Sequence, residues 1–230
     1  MRLLLFDIDG TLVLTGGAGS RAMTRAFKET HGLDDALKTV DLAGRTDRII
    51  MRDALTQAGL GVHIEDADLE RFRQAYFACL REEITKDGTG RRGLLPGVRE
   101  LLETLSRRDD VRLALLTGNF RHSAEIKLAA FDVWRYFLWG AFADDAIERD
   151  DLIGVAHARH TDEHGHAIAP ERVVIIGDTP HDIRCARAGG AKAVAVATGK
   201  YDLAALERHQ PDALFEDLTD TAAVLEALLH

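Results

Sequence analysis

The 230-residue chain has few cysteines and no surplus of basic residues. Its two cysteines, Cys79 and Cys185, are far apart and form no CxxC pair, which argues against a disulfide framework and against a zinc site. A net charge of -9 leaves no basic excess to neutralise a phosphate backbone, so we expect no nucleic acid as the main partner. A small anionic substrate needs only a local patch of positive charge and remains compatible with this balance.

Long hydrophobic runs are also missing. The longest apolar stretches, at 111–116 and 172–177, are far too short to cross a bilayer. The start of the chain has one arginine, a short apolar run and then acids, which is unlike a signal peptide. We therefore expect a cytoplasmic protein with no membrane partner. The oligomeric state cannot be predicted from these features.

Short continuous apolar runs predict buried parallel strands, since such strands are covered on both faces. Segments with helical periodicity follow two of them, at 122–131 and 180–189. Strands and helices alternate from about residue 95 onwards, which is typical of an α/β fold with a doubly wound parallel, Rossmann-like sheet. The predicted strands span 3–6, 111–116, 172–177 and 192–197, with a further edge strand in 212–218.

Residues 20–86 interrupt this alternation and have a helical pattern throughout, with three predicted helices at 20–32, 46–59 and 66–84. Thr46 or Asp47 is a plausible N-cap of the second helix. In the third helix, apolar residues recur every three or four positions and predict one core-facing side. That stripe consists of Leu69, Phe72, Tyr76, Leu80 and Ile84.

Glycine-rich segments flank this helical block, at 15–20 and 86–93, and glycine gives a chain freedom at hinges. We interpret them as the two connections of an inserted domain. The predicted division assigns 17–91 to an all-helical inserted domain, and 1–16 together with 92–230 to the α/β core.

Two acids, Asp7 and Asp9, directly follow the first predicted strand. They point to one side if the extended backbone continues, and ligands in open parallel sheets bind beyond the carboxyl ends of the strands. A calcium loop does not fit, because glycine comes at loop position four and Ala18 occupies the twelfth position. A DxD pair alone is weak evidence for a site.

Polar residues after two other predicted strands strengthen this interpretation. Thr117 follows residues 111–116, and Asp178 follows 172–177, with Asp182 four positions later. Oxygen ligands of this kind suit a hard cation such as Mg²⁺. As an alternative, these acids are helix N-caps, and for Asp182 this competes well because it lies in the first turn of its helix.

The motifs FDIDGTL, LLTGN and IIGDTPHD together resemble those of the haloacid dehalogenase-like (HAD) phosphohydrolases, and the helical insert resembles their cap domain of the first type. The resemblance covers nearly the whole chain. Within this family, the chain resembles the phosphoglycolate phosphatases. It implies a Mg²⁺-dependent phosphatase that acts on a small phosphorylated metabolite. TGN and ERDDL depart from the patterns of phosphoglycolate phosphatases, so the substrate stays open.

The resemblance also implies residue roles. Asp7 would attack phosphorus and form an aspartyl-phosphate, while Asp9 would protonate the leaving oxygen and later activate water. Thr117 would hydrogen-bond the transferring phosphoryl group, and Gly118 and Asn119 would contact substrate. The metal site would comprise Asp7, the backbone carbonyl of Asp9, Asp178 and Asp182.

The family's usual KP lysine is missing from this chain. Arg149, within 140–156, is the best-placed replacement, and its guanidinium could bind the phosphoryl group through a bidentate pair of hydrogen bonds. Lys127 is the rival, and we favour Arg149. In the cap, Arg45 precedes a helix and is expected either to contact the non-phosphate end of the substrate or to be a solvated surface residue.

Other functions stay open in different degrees. Dehalogenases of this family lack the second acid, so Asp9 argues against that activity. A β-phosphoglucomutase-like phosphosugar mutase retains both acids and is harder to exclude. Phosphonate hydrolysis would need a cap lysine, and nothing marks Lys28 or Lys38 as desolvated. A non-catalytic binding module is disfavoured because the set Asp7, Asp9, Thr117 and Asp178 is intact.

Overall fold

The computed structural model describes residues 1–61, 64–88, 90–137 and 139–230. Thr89, in the second glycine-rich segment, lies outside the described residues. A six-stranded sheet forms the core, and its strands are β1 (Arg2–Phe6), β4 (Val111–Leu116), β5 (Gly140–Ala141), β6 (Val173–Gly177), β7 (Lys192–Val196) and β8 (Ala213–Phe215). The strand order is β5-β4-β1-β6-β7-β8, and every pairing is parallel.

Helices cover both faces of this sheet, as the continuous apolar strands require. The helices of the core are α4 (Val98–Ser106), α5 (Arg121–Ala129), α6 (Leu152–His164), α7 (Pro180–Ala188), the short α8 (Leu203–Glu207) and α9 (Thr221–Leu229). One face of the sheet packs against α4, α5 and α9, with Leu101, Leu128 and Val224 in its apolar cluster. The other face packs against α6 and α7, with Leu152 and Ile183. The predicted doubly wound α/β fold is confirmed.

Three helices lie between β1 and the remainder of the core, as predicted: α1 (Ala18–His31), α2 (Asp47–Gln57) and α3 (Asp66–Glu83). They share an apolar cluster that includes Phe27, Met51 and Phe72. Phe120 of the core is buried in the same cluster, so the cap and the core pack together directly. The predicted stripe on α3 belongs to this cluster, with Leu69 only partly buried.

The two connections to the cap contain a short antiparallel ribbon that the sequence analysis did not predict. Its strands are β2 (Val13–Thr15) and β3 (Arg92–Leu94). Beside it, the backbones of Gly16 and Gly88 approach so closely that a Cβ on Gly88 would lie 2.0 Å from the Gly16 carbonyl oxygen. Glycine is therefore needed here for close packing as well as for flexibility.

None of the described helices is both long enough and apolar enough to cross a membrane. The carboxyl ends of β1, β4 and β6 meet at one edge of the sheet, and the cap lies over that edge. This arrangement positions the site described next.

Candidate active site

A cavity of about 730 Å³ lies between the cap and the carboxyl edge of the sheet. Asp7 and Asp9 from the end of β1, Thr117 from the end of β4 and Asp178 from the end of β6 line its floor. Parallel strands end at a common edge, so residues far apart in sequence converge here. The four residues that sequence reasoning placed at strand ends are therefore brought together.

Asp7 occupies a buried position at the end of the central strand. Its backbone N–H donates to the Ile176 carbonyl oxygen (2.9 Å), which extends the pairing of β1 with β6 up to the site. Its carboxylate lies 3.1 Å from Nη2 of Arg149. Burial raises the pKa of Asp7 to about 6, although the guanidinium of Arg149 opposes this rise.

Three buried carboxylates form a cluster around this point. Asp7, Asp178 and Asp182 each offer an oxygen, and these oxygens lie within 4.8 Å of one another. Burial, followed by the negative charge of Asp7, raises the pKa of Asp178 well above its usual value. Since Arg149 supplies only one positive charge against three carboxylates, this donor set fits a hard divalent cation such as Mg²⁺.

Glycines pack tightly around Asp178. A Cβ on Gly199 would lie 1.8 Å from its Oδ2, and a Cβ on Gly10 would lie 2.4 Å from the same atom. Gly10 also has a φ of +84°, which side-chain-bearing residues rarely adopt. Thr11 Oγ1 donates to Asp178 Oδ1 at 3.1 Å. The loop after β1 thus holds Asp178 in place.

Asp182 has both oxygens engaged. Oδ1 accepts from Nη2 of Arg149, and Oδ2 accepts from Thr179 N (3.0 Å) and from Thr179 Oγ1 (2.7 Å). The hydrogen bond from Thr179 N is part of a capping box at the start of α7. Capping of this helix is the role that the sequence offered for Asp182 as an alternative to metal binding. Asp182 therefore orients Arg149 and its own helix, and its role as a metal ligand stays a prediction.

Asp9 belongs to a second cluster, in which its own side chain is partly exposed while its partners are buried. Its Oδ2 accepts from Lys127 Nζ (2.6 Å) and from Asn119 Nδ2 (2.8 Å). Asn119 bridges the group, because its Oδ1 accepts from Lys127 Nζ (2.6 Å) while its Nδ2 also donates to Thr117 Oγ1 (2.8 Å). This network fixes the orientation of Asp9 towards the cavity.

The two candidate cations thus occupy different clusters. Arg149 pairs with Asp7 and Asp182, whereas Lys127 pairs with Asp9. Both side chains are buried and both line the cavity. The preference for Arg149 over Lys127 as the phosphate-binding cation stays a prediction. The sequence did not indicate that both would reach the DxD motif.

Gly118 and Arg45 lie where the cap meets the core. The Gly118 carbonyl oxygen accepts from Asp47 N (2.7 Å), and a Cβ on Gly118 would lie 2.0 Å from the Arg45 carbonyl oxygen. Arg45 lines the cavity, and its guanidinium is paired with Asp53. Substrate binding by Gly118, Asn119 and Arg45 stays a prediction, although Gly118 has an evident packing role.

Asp47 is a site residue whose importance the sequence did not reveal. Thr46 caps α2 by accepting from Ile49 N (3.2 Å), as expected of one of this pair. The carboxylate of Asp47 instead reaches the core, where Oδ2 accepts from Phe120 N (2.9 Å) and Ser123 Oγ (3.3 Å) at the start of α5. Burial raises its pKa to about 6, against the opposing charge of Lys127. Asp47 thus joins the cap to the helix that carries Lys127.

A family model described as haloacid dehalogenase-like hydrolase matches residues 4–187. The chain belongs to this family and is an enzyme of the hydrolase class. This agrees with the carboxylates at the ends of β1 and β6 and with the inserted helical cap.

Individual relatives span nearly the whole chain. The chain is 27% identical to "Probable phosphatase IndB" of Dickeya dadantii, with 99% of this chain and 94% of the relative covered. It is 24% identical to "Phosphoglycolate phosphatase" of Escherichia coli K12, with coverages of 98% and 92%. Among solved structures, a "putative beta-phosphoglucomutase" from Thermotoga maritima has the same fold, with a TM-score of 0.62, 20% identity and complete coverage of both chains.

Proposed function

We propose that this protein is a Mg²⁺-dependent phosphatase that hydrolyses the phosphomonoester of a small metabolite through an aspartyl-phosphate on Asp7. The observation that carries this proposal is the pair of acids at the end of β1 with separate partners. Asp7 lies in the buried carboxylate cluster, and Asp9 lies beside Lys127 and Asn119. The relatives named as phosphatases support the same reaction class.

In the first step, a carboxylate oxygen of Asp7 attacks phosphorus and displaces the alcohol oxygen. Asp9, which faces the cavity, donates its proton to that oxygen as the bond to phosphorus breaks. Thr117 and Arg149 contact the phosphoryl oxygens and stabilise their charge. In the second step, Asp9 removes a proton from water, and the resulting nucleophile attacks phosphorus and frees Asp7.

Asp7, Asp178 and the carbonyl oxygen of Asp9 would hold Mg²⁺, with Asp182 as a further predicted ligand. When bound, the ion neutralises charge and so lets an anionic carboxylate approach an anionic phosphate. The raised pKa of Asp178 agrees with a carboxylate placed for a cation. Without such a cation, three buried carboxylates share one guanidinium.

Hydrolysis of p-nitrophenyl phosphate with Mg²⁺ and with EDTA tests the proposal. We expect turnover with Mg²⁺, its loss with EDTA, and its loss in Asp7→Asn. Asp109→Asn, the same substitution at an exposed aspartate, serves as the control and should keep wild-type turnover. Equal activity of wild type and Asp7→Asn, or no metal-dependent turnover with several phosphoesters, would contradict the proposal.

A β-phosphoglucomutase-like reaction uses the same first step and differs in the acceptor. Product analysis with a hexose 1-phosphate separates the two, because a mutase returns the phosphoryl group to the sugar and a phosphatase transfers it to water. We propose water as the acceptor. The domain boundaries at 16/17 and 91/92 and the cytoplasmic location also stay predictions.

A further inference from the structure

The cap side of the cavity differs in chemistry from its floor. The floor carries the carboxylates and cations of the two clusters, whereas several apolar side chains line the wall on the cap side. The apolar residues that line this part of the cavity are Leu14, Met23, Val40, Leu42 and Ile50. Leu14 and Leu42 are half-buried, and Met23 and Ile50 are each 4% exposed.

Two ion pairs involve charged groups near this wall. Arg45 pairs with Asp53 within the cap. Lys200 pairs with Asp41 (3.1 Å) where both are exposed at the rim. Arg91 lines the cavity from the connection to the cap, and it too is exposed. A substrate carboxylate on the cap side would therefore face apolar side chains, compete for an existing ion pair or have to extend to the exposed Arg91.

The cavity is also large for a short substrate. Pockets of about 300–1,000 Å³ hold drug-sized ligands, and this cavity of about 730 Å³ lies well within that range. A phosphoryl group at the floor would leave most of that volume beneath the cap. Glycolate, a two-carbon acid, would fill little of it and would not reach the apolar side chains of the cap.

We infer that the alcohol part of the substrate has a bulky apolar body that packs against Met23, Leu42 and Ile50, and that short anionic phosphoesters such as 2-phosphoglycolate are poor substrates. This inference rests on the proposed phosphatase function and specifies its substrate class. The apolar body would displace water from the wall, and that burial is favourable in proportion to the area covered. The phosphate would supply the reacting group and the cap wall would supply selectivity.

A series of straight-chain alkyl phosphates tests the inference, because the leaving alcohols have nearly equal reactivity and differ in apolar length. The measurement is kcat/KM for ethyl, butyl and hexyl phosphate and for 2-phosphoglycolate, with Mg²⁺ present. A fully buried methylene contributes roughly fourfold to binding, so we expect hexyl phosphate to exceed ethyl phosphate at least tenfold. It should exceed 2-phosphoglycolate by at least the same factor.

A matched pair of variants locates the effect on the cap wall. Ile50 lines the cavity, whereas its neighbour Ile49 is similarly buried (5% exposed) and is not among the described lining residues. Ile50→Thr should lower kcat/KM for hexyl phosphate by about fivefold or more and leave that for ethyl phosphate within twofold. Ile49→Thr should change kcat/KM for both substrates by the same factor. Thermal unfolding checks that each variant is folded, and the wild-type series stands by itself if one is not.

The outcomes separate this inference from the function on which it rests. A rise of less than tenfold from ethyl to hexyl phosphate, or a preference for 2-phosphoglycolate, overturns the apolar substrate class and leaves the phosphatase proposal intact. Equal effects of Ile50→Thr on both substrates also overturn it. Absence of metal-dependent turnover with every ester overturns the phosphatase proposal and this inference together.

Discussion

The two acids of the DxD motif are only two residues apart but lie in contrasting surroundings. The side chain of Asp7 is 6% exposed and pairs with Arg149, which also contacts Asp182. The side chain of Asp9 is 43% exposed and pairs with Lys127, which also contacts Asn119. Each acid thus has its own cation, and the two pairs differ mainly in access to water.

This difference matches the division of labour in the proposed reaction. A nucleophile that attacks phosphate gains from a buried setting, where electrostatic interactions are strong and water is excluded. A residue that gives a proton to the leaving oxygen and takes one from water must reach both the cavity and solvent. The contrast between Asp7 and Asp9 therefore makes them chemically distinct although both are aspartates.

Substitution of Asp9 by asparagine should produce the largest separation between substrates. With an alkyl phosphate the leaving oxygen needs a proton, so we expect turnover to fall by about 10²–10⁴-fold. With p-nitrophenyl phosphate the leaving group is already stable as an anion, so the first step should be much less affected. Pre-steady-state release of p-nitrophenol in Asp9→Asn measures that step. An equal loss in the first step for both substrates would contradict the role of Asp9 as the acid.

The two cations offer the next test. Arg149→Ala should lower kcat/KM by about 10²–10³-fold, because a buried cation at the phosphoryl site is lost. Lys127→Ala should cause a smaller loss, because Lys127 contacts the acid Asp9 and not the nucleophile Asp7. If Arg149→Ala leaves turnover intact while Lys127→Ala abolishes it, the assignment of the phosphate-binding cation is wrong.

Removal of the metal should destabilise the cluster of Asp7, Asp178 and Asp182. Saturating Mg²⁺ should stabilise the wild type by about 2.7 kcal/mol at a concentration one hundred times the Kd. Asp178→Asn should abolish this stabilisation, since the variant lacks one of the clustered carboxylates. Thermal unfolding with Mg²⁺ and with EDTA measures it, with Asp109→Asn as the control. A Mg²⁺ effect of unchanged size in Asp178→Asn would exclude this metal site.

Substitution of Asp47 should have a smaller effect, a change in the free energy of unfolding that depends on pH. Its pKa rises from 3.8 to about 6 on burial, so between these values the folded state keeps a proton that the unfolded state has lost. Stability from this group therefore falls as pH rises. Asp47→Asn has no such group, so its free energy of unfolding should gain about 2 kcal/mol relative to wild type between pH 4.5 and pH 7.5. Urea unfolding in EDTA measures the difference, and a difference that is constant with pH would contradict the burial of this carboxyl group.

Much of the fold was predictable because its signals are local. Continuous apolar runs such as 111–116 predict covered parallel strands, and helical periodicity after them predicts the crossovers. The ribbon of Val13–Thr15 with Arg92–Leu94 was not predictable, because three-residue strands without an apolar pattern leave no periodicity to detect. Its pairing is a contact between distant segments.

The residues of the site also fall into a group that could be predicted from the sequence and a group that could not. Asp7, Thr117 and Asp178 follow predicted strands, and the shared edge of a parallel sheet is enough to bring them together. The pairs that distinguish the acids depend on tertiary contacts. Lys127 is 118 positions from Asp9 along the chain, and Asp47 is 73 positions from Phe120, whose backbone N–H donates to it. Contacts between residues so far apart in sequence leave no local pattern from which they could be predicted.

Trapping of the covalent intermediate tests the division of labour between Asp7 and Asp9 most directly. In Asp9→Asn with p-nitrophenyl phosphate and Mg²⁺, the first step needs no acid and the second lacks its base, so the phosphorylated enzyme should accumulate. Acid quenching, borohydride reduction and peptide mass spectrometry should then find one modified residue, Asp7. Modification of another residue, or no covalent species during turnover, would contradict the account.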